Sequence, residues 1–273
     1  MKSKAPDAGH ASLLELGCTD PSGALATMRD HLAHHGAEPY AAVRELARRH
    51  RLVCLGEMHD LAGRFMSAEL VSAAAQGGAR LLFVEVYADE QAQLDRFVKS
   101  GRRAHLPLSV GGGPAAPLPF QQPYVDMLMA ARAAGMRIIA FDAKDADYDE
   151  RNHVMALTVE QHLLENEGRG VAVVGQLHLV SRPVLEFTTS MAGLLRESLG
   201  GSVVTVGRAV PDAWQPFSVW SDVADVEAAI LLRVDGSPFE SLASNWGDEF
   251  LVGSDFDHIL FYPAAAVGVS RGC

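Results

Sequence analysis

With 273 residues, 48% of them hydrophobic and 21% charged, the chain can bury a full core and is not disordered as a whole. Its formal net charge of −11 argues against nucleic acid or an anionic membrane surface as a main partner. The three cysteines, Cys18, Cys54 and Cys273, form no Cys-x-x-Cys pair, and their odd number argues against a disulfide framework.

Residues 1–20 carry Pro6, Gly9 and Gly17 without a hydrophobic period and read as a flexible lead-in. No apolar segment follows Lys2 and Lys4, and no apolar run approaches the ~20 residues of a membrane helix. The expectation is a cytoplasmic protein without a membrane partner. Ser22 is expected to cap a helix over 24–35, and Pro39 to open one over 40–50. Leu52 to Leu55 is then a short unbroken apolar run, as in a parallel strand covered on both faces, with Cys54 packing as a small apolar residue. Gly56 ends that run, and Glu57, His59 and Asp60 follow at once.

Further along, a helix is expected over 65–76 and a strand over 80–86, with Glu85 as its polar interruption. A helix over 89–98 precedes a stretch rich in glycine and proline, 99–123, which reads as a lid-like insertion. Helix 124–134, strand 136–141 ending at Asp142, helix 147–167 and strand 171–174 come next. The last of these leads into Gly175 and His178, repeating the strand-Gly-x-x-His pattern of the first. Helix 189–199 and strand 202–206 precede a stretch, 211–255, whose short apolar runs resist ordering; 258–262 is a last strand. Strands alternating with helices give an α/β fold: a mostly parallel β-sheet wrapped by helices on both faces. Residues 21–265 are expected to form a single α/β catalytic domain followed by a tail, 266–273.

In open α/β sheets the ligand crevice lies outside the carboxyl ends of the strands. Glu57, His59, Glu85 and His178 all fall at such ends, so the fold should carry them to one rim. Two chemistries suit that set. A neutral imidazole can take a proton from water while a carboxylate fixes its tautomer, which contributes roughly 10²–10⁴-fold. Crowded carboxylates cannot both ionise cheaply, so one would be pushed toward its acid form. Alternatively, His59, His178, Glu57 and Glu85 would hold a divalent metal with an open position for water. Arg151, amid Asp147, Asp149 and Glu150, is either paired locally on the surface or an anion clamp for a substrate carboxylate or developing oxyanion. Asp142 is equally ambiguous. The other histidines, among them His34, His35, His50, His105, His153 and His162, lack placement at the rim. No P-loop, nucleophile elbow or dinucleotide fingerprint is present.

Four patches together resemble the erythromycin esterase/ChaN-like superfamily: Gly-Glu-Met-His-Asp, Phe-Val-Glu-Val, Glu-Arg-Asn-His-Val-Met-Ala and Val-Val-Gly-Gln-Leu-His. That group includes the Ras/Rap-specific endopeptidase domains of bacterial toxins and, distantly, TraB and Tiki proteins. The resemblance spans about residues 50–262. It implies an active site of Glu57, His59, Glu85, Arg151 and His178, with a histidine activating water against an ester or amide carbonyl. The substrate would be a small molecule or peptide. Relatives with paired Gly-x-x-His motifs imply one divalent ion of the Mn, Zn, Fe or Co class, whereas the esterases imply none. Haem-binding members are lipoproteins using a tyrosine, and this chain shows no lipoprotein signal, so haem is the weaker expectation. A non-hydrolytic elimination or cyclisation, or a haem- or metal-binding protein without turnover, are the alternatives on the same residues. Where many relatives carry further histidines after the first motif, this chain has Arg64, Phe65 and Met66.

Overall fold

The computed structural model describes residues 8–57, 66–107, 118–166, 168–182, 187–209, 218–246 and 249–263. In chain order the elements are helices α1 (Ala8–Glu15), α2 (Pro21–His35) and α3 (Pro39–Arg49), then strand β1 (Leu52–Glu57), α4 (Ser67–Gln76) and β2 (Leu81–Tyr87). There follow α5 (Gln91–Ser100), α6 (Leu118–Ala133), β3 (Arg137–Asp142), α7 (Tyr148–Glu165), β4 (Gly170–Gly175), α8 (Met191–Leu199) and β5 (Val203–Ala209). The chain finishes with α9 (Ser218–Ala224), β6 (Ile230–Arg233), β7 (Ala243–Trp246), β8 (Glu249–Val252) and β9 (His258–Phe261). Seven strands make one mostly parallel sheet, so the α/β expectation holds. The chain divides into two compact units, 40–206 and 1–39 with 207–273.

In the larger unit the strands run parallel in the order β3-β2-β4-β1-β5. Their apolar runs are unbroken because the central strands are covered on both faces. Val53, Cys54, Leu82, Phe83, Val84 and Val171 to Val174 are all fully buried. Each such Val, Leu or Phe contributes on the order of 1.5–3 kcal/mol relative to exposure. β1 runs through Gly56 to Glu57 rather than stopping at Leu55. A Cβ on Gly56 would sit 2.9 Å from Gln176 Oε1 and 3.2 Å from the Val206 carbonyl, so glycine here serves close packing inside the strand.

The insertion expected at 99–123 is largely helical where it is described. Residues 99–100 close α5, and α6 begins at Leu118 with Pro123 inside it. Pro119 lies in the first turn, where a missing N–H costs little. Residues 108–117 of the expected lid lie outside the described residues.

The smaller unit corrects the expected lead-in, since α1 occupies much of it. Its period is hard to see because the contact rests on a glycine. A Cβ on Gly9 would lie 2.6 Å from the Asp222 carbonyl oxygen, so only glycine lets α1 approach α9 this closely. Arg29 Nε donates to the Val223 carbonyl at 3.0 Å, tying α2 to the end of α9. The cap of α2 is Asp20, not Ser22: its Oδ1 accepts from Gly23 N–H at 3.0 Å, and Pro21 takes the first helical position. The stretch that resisted ordering holds α9, the β7–β8 hairpin and β6, which pairs antiparallel with β9. Among the described residues no helix is long and apolar enough to cross a membrane.

Candidate active site

The order β2-β4-β1 sets three strand ends side by side. Glu57, the last residue of β1, is in register with Gly175, the last of β4. β2 pairs with β4 only as far as Val84, and its register with β3 shifts between Val84 and Tyr87. Glu85 falls in that break, where an irregular strand can re-aim a side chain. Its Oε2 accepts the Gly175 N–H at 2.8 Å. After Gly175 the chain turns through a short 3₁₀ helix, Gln176–Leu179, which carries His178 back over the strand ends.

His178 is 1% exposed, but its surroundings are polar. Nδ1 lies 2.6 Å from Asn152 Oδ1. The Asn152 amide is oriented by backbone groups of opposite polarity: Nδ2 donates to the Thr189 carbonyl at 2.9 Å, and Oδ1 accepts the Met191 N–H at 3.2 Å. Oδ1 can therefore only accept, so the neutral imidazole carries its proton on Nδ1 and its lone pair on Nε2. Nε2 is 3.9 Å from Glu85 Oε1. One face of the ring is stacked by Tyr148, with centroids 4.5 Å apart and planes within 4°. Phe187 stacks on Tyr148 in turn, at 3.7 Å. Asp149 holds the neighbouring segment in place by accepting the Thr188 and Thr189 N–H groups, each at 3.0 Å.

Arg151 does not pair with the acidic residues around it in sequence. Asp147 caps α7 through the Glu150 N–H, and Asp149 is engaged by the threonines. Instead Arg151 reaches the strand ends: Nε donates to Asp142 Oδ1 at 2.8 Å, and one terminal nitrogen donates to Asp142 Oδ2 at 3.0 Å and Glu85 Oε1 at 2.7 Å. This fork resolves the ambiguity of Asp142, which holds the guanidinium bidentately. The other terminal nitrogen makes no hydrogen bond among the described residues. Burial pushes the Asp142 carboxyl above its ordinary pKa despite the Arg151 bonds, and the Glu85 charge adds to the rise. Burial also pushes the Tyr148 hydroxyl up, again with the Glu85 charge adding. Burial opposes the Arg151 charge, but Asp142 and Glu85 outweigh it and raise the pKa further.

The geometry thus gathers Glu57, Glu85, Arg151 and His178 at one rim. His59 lies outside the described residues. Asn152 and Tyr148 were missed in the sequence, although a signal existed: Tyr148, Arg151 and Asn152 are spaced i, i+3, i+4 and share one face of the first turns of α7. Because Asn152 sets the tautomer, Asn152→Asp should bind the Nδ1 proton more tightly and raise the imidazole pKa. The acid limb of a kcat/KM–pH profile then moves to higher pH, while Asn152→Leu lowers kcat about 10–100-fold. An unmoved profile in Asn152→Asp would refute that role.

Both Glu85 oxygens are already engaged, by a guanidinium and by a backbone N–H, and a cation beside Arg151 would be repelled. Among the described residues no group of three or more His, Cys, Asp and Glu is arranged to hold a metal ion. Within the expected ligand set, the Glu85 carboxylate is thus committed to Arg151 and the Gly175 N–H, and His59 lies outside the described residues.

No family model and no curated protein matches the chain. Solved structures do. A succinoglycan biosynthesis protein is similar at a TM-score of 0.59 and 10% identity, over 88% of this chain and 96% of that one. The type III effector HopBA1 is similar at 0.52 and 12%, over 83% of this chain and 94% of that one. The toxin effector domain RRSP of Vibrio vulnificus reaches 22% identity at a TM-score of 0.44, over 66% of this chain. This chain spans only 37% of that structure's length. The first two of these likenesses show a shared fold.

Proposed function

We propose that the chain is a hydrolytic enzyme acting on an ester or amide of a small molecule or peptide. The observation that carries this reading is His178 at the carboxyl rim of a parallel sheet: Asn152 Oδ1 accepts its Nδ1–H, which makes Nε2, 3.9 Å from Glu85 Oε1, the basic nitrogen of the ring in its neutral form. In the proposed reaction Nε2 takes a proton from water as the oxygen attacks the carbonyl carbon. Negative charge collects on the carbonyl oxygen, within reach of the uncommitted N–H groups of Arg151. On collapse the imidazolium returns the proton to the leaving oxygen or nitrogen, which regenerates the base. Glu85 steadies the imidazolium and keeps Arg151 aimed. Glu57, buried at the end of β1, contributes a second carboxylate, and the role of His59 rests on its motif.

Because the Glu85 carboxylate, 3.9 Å from Nε2, is already occupied by donors, activity on an ester panel should survive exhaustive chelation, with purified protein free of stoichiometric metal. Activity lost with chelator and restored by Mn or Zn would overturn the metal-free reading. The same base could abstract a carbon-bound proton in an elimination or cyclisation. Product mass separates the two, since only hydrolysis adds the elements of water.

A further inference from the structure

The amino edge of the same sheet carries a row of positive charge that the proposed chemistry does not use. Arg80, Arg169 and Arg51 each stand one residue before β2, β4 and β1. Leu81 and Leu52 are both in register with Gly170, so the three arginines begin adjacent strands side by side. Neighbouring strands lie about 4.8 Å apart, and like charges placed this way destabilise a sheet unless something balances them. Together with Gly78 and Gly168 these arginines line a cavity of about 410 Å³, within the range of small-ligand sites. Gly78, at φ +105°, keeps the wall open with a backbone that other residues rarely adopt.

Helix capping explains part of this arrangement. Arg51 donates to the Leu163 carbonyl at 2.9 Å, and Arg80 donates to the Ala75 and Ala79 carbonyls at 3.1 Å. Each of these bonds uses one nitrogen of a guanidinium that offers five N–H groups. Capping does not explain Arg169, whose exposed side chain has no hydrogen bond or ion pair among the described residues. None of the three pairs with a carboxylate among the described residues, in a chain whose net charge is −11.

We propose that this cavity binds a tetrahedral oxyanion, a phosphate or the phosphoryl group of an organic ligand. Arg169 is the principal contact, and the remaining N–H groups of Arg51 and Arg80 flank it. Six-residue strands separate it from His178 by roughly 20 Å, so the ligand is not the reactant of the carboxyl rim.

Calorimetric titration of the full chain at matched ionic strength tests this, with inorganic phosphate in one arm and a nucleoside monophosphate in the other. Saturable binding is expected, weakened at least about tenfold in Arg169→Ala, whose fold should be unchanged because the side chain holds nothing. Arg169→Lys should recover part of the loss, keeping the charge without the fork. Tighter binding in the nucleotide arm assigns an organic phosphate; equal binding assigns the free anion. No saturable heat in either arm, or an Arg169→Ala variant that binds as tightly as the parent, would overturn the proposal.

Discussion

His178→Gln is expected to lower kcat/KM on a hydrolysed ester by about 10³-fold while leaving the protein folded. Glutamine can still donate to Asn152 Oδ1, so the buried partner stays satisfied, but it brings no base to the place of Nε2. His178→Ala should be as inactive and less stable, because it also leaves a void beside Tyr148 and takes from the Asn152 oxygen one of its two donors. Steady-state kinetics with a melting curve for each variant separate chemistry from folding. Retention of activity within a fewfold by a folded His178→Gln protein would remove the base from the mechanism. The His59→Ala variant sharpens the test: if both imidazoles act as one unit, the double variant should be scarcely worse than either single one.

The second large effect concerns stability. Arg151 bridges two carboxylates at once, with side-chain exposures of 9% for Glu85 and 6% for Asp142. Arg151→Met removes the cation and leaves both acids buried beside each other. Breaking a buried pair from one side costs about 3–5 kcal/mol, and the 22% exposure of Arg151 places this case toward the lower end. For a chain of this size that corresponds to a fall in Tm of roughly 6–12 °C. The loss should depend on pH. Burial, the first cause, already raises the folded pKa of Asp142, and removing Arg151 raises it further. A carboxyl group that holds its proton more tightly when folded gains stability as pH falls through that raised value. The deficit should therefore be largest at neutral pH and shrink on acidification, and Asp142→Asn in the Arg151→Met background should recover part of it at pH 7. A pH-independent deficit would mean that Arg151 matters through packing of its stem rather than through its charge.

Several of these features can be read in the chain without coordinates. The runs Leu52 to Leu55 and Val171 to Val174 betray buried parallel strands, because a strand covered on both faces tolerates no polar residue along its length. Polar residues after such runs mark strand ends, which is why Glu57, Glu85 and His178 could be singled out. Helix ends were less legible, since a cap depends on which nearby oxygen reaches the free N–H groups. At α2 that oxygen belonged to Asp20 rather than Ser22.

What composition and hydrophobic pattern determined alone was the fold class and the rim on which the polar residues lie, because burial imposes a period that sequence must obey. Partner choice was decided by tertiary structure. Arg151 had acidic neighbours in its own helix turn yet bonds to Asp142 and Glu85, and His178 is oriented by Asn152 from another segment. The rotation of α7 about its axis relative to the strand ends selects those partners. That rotation comes from side-chain packing summed over the whole helix, which no short stretch of sequence encodes.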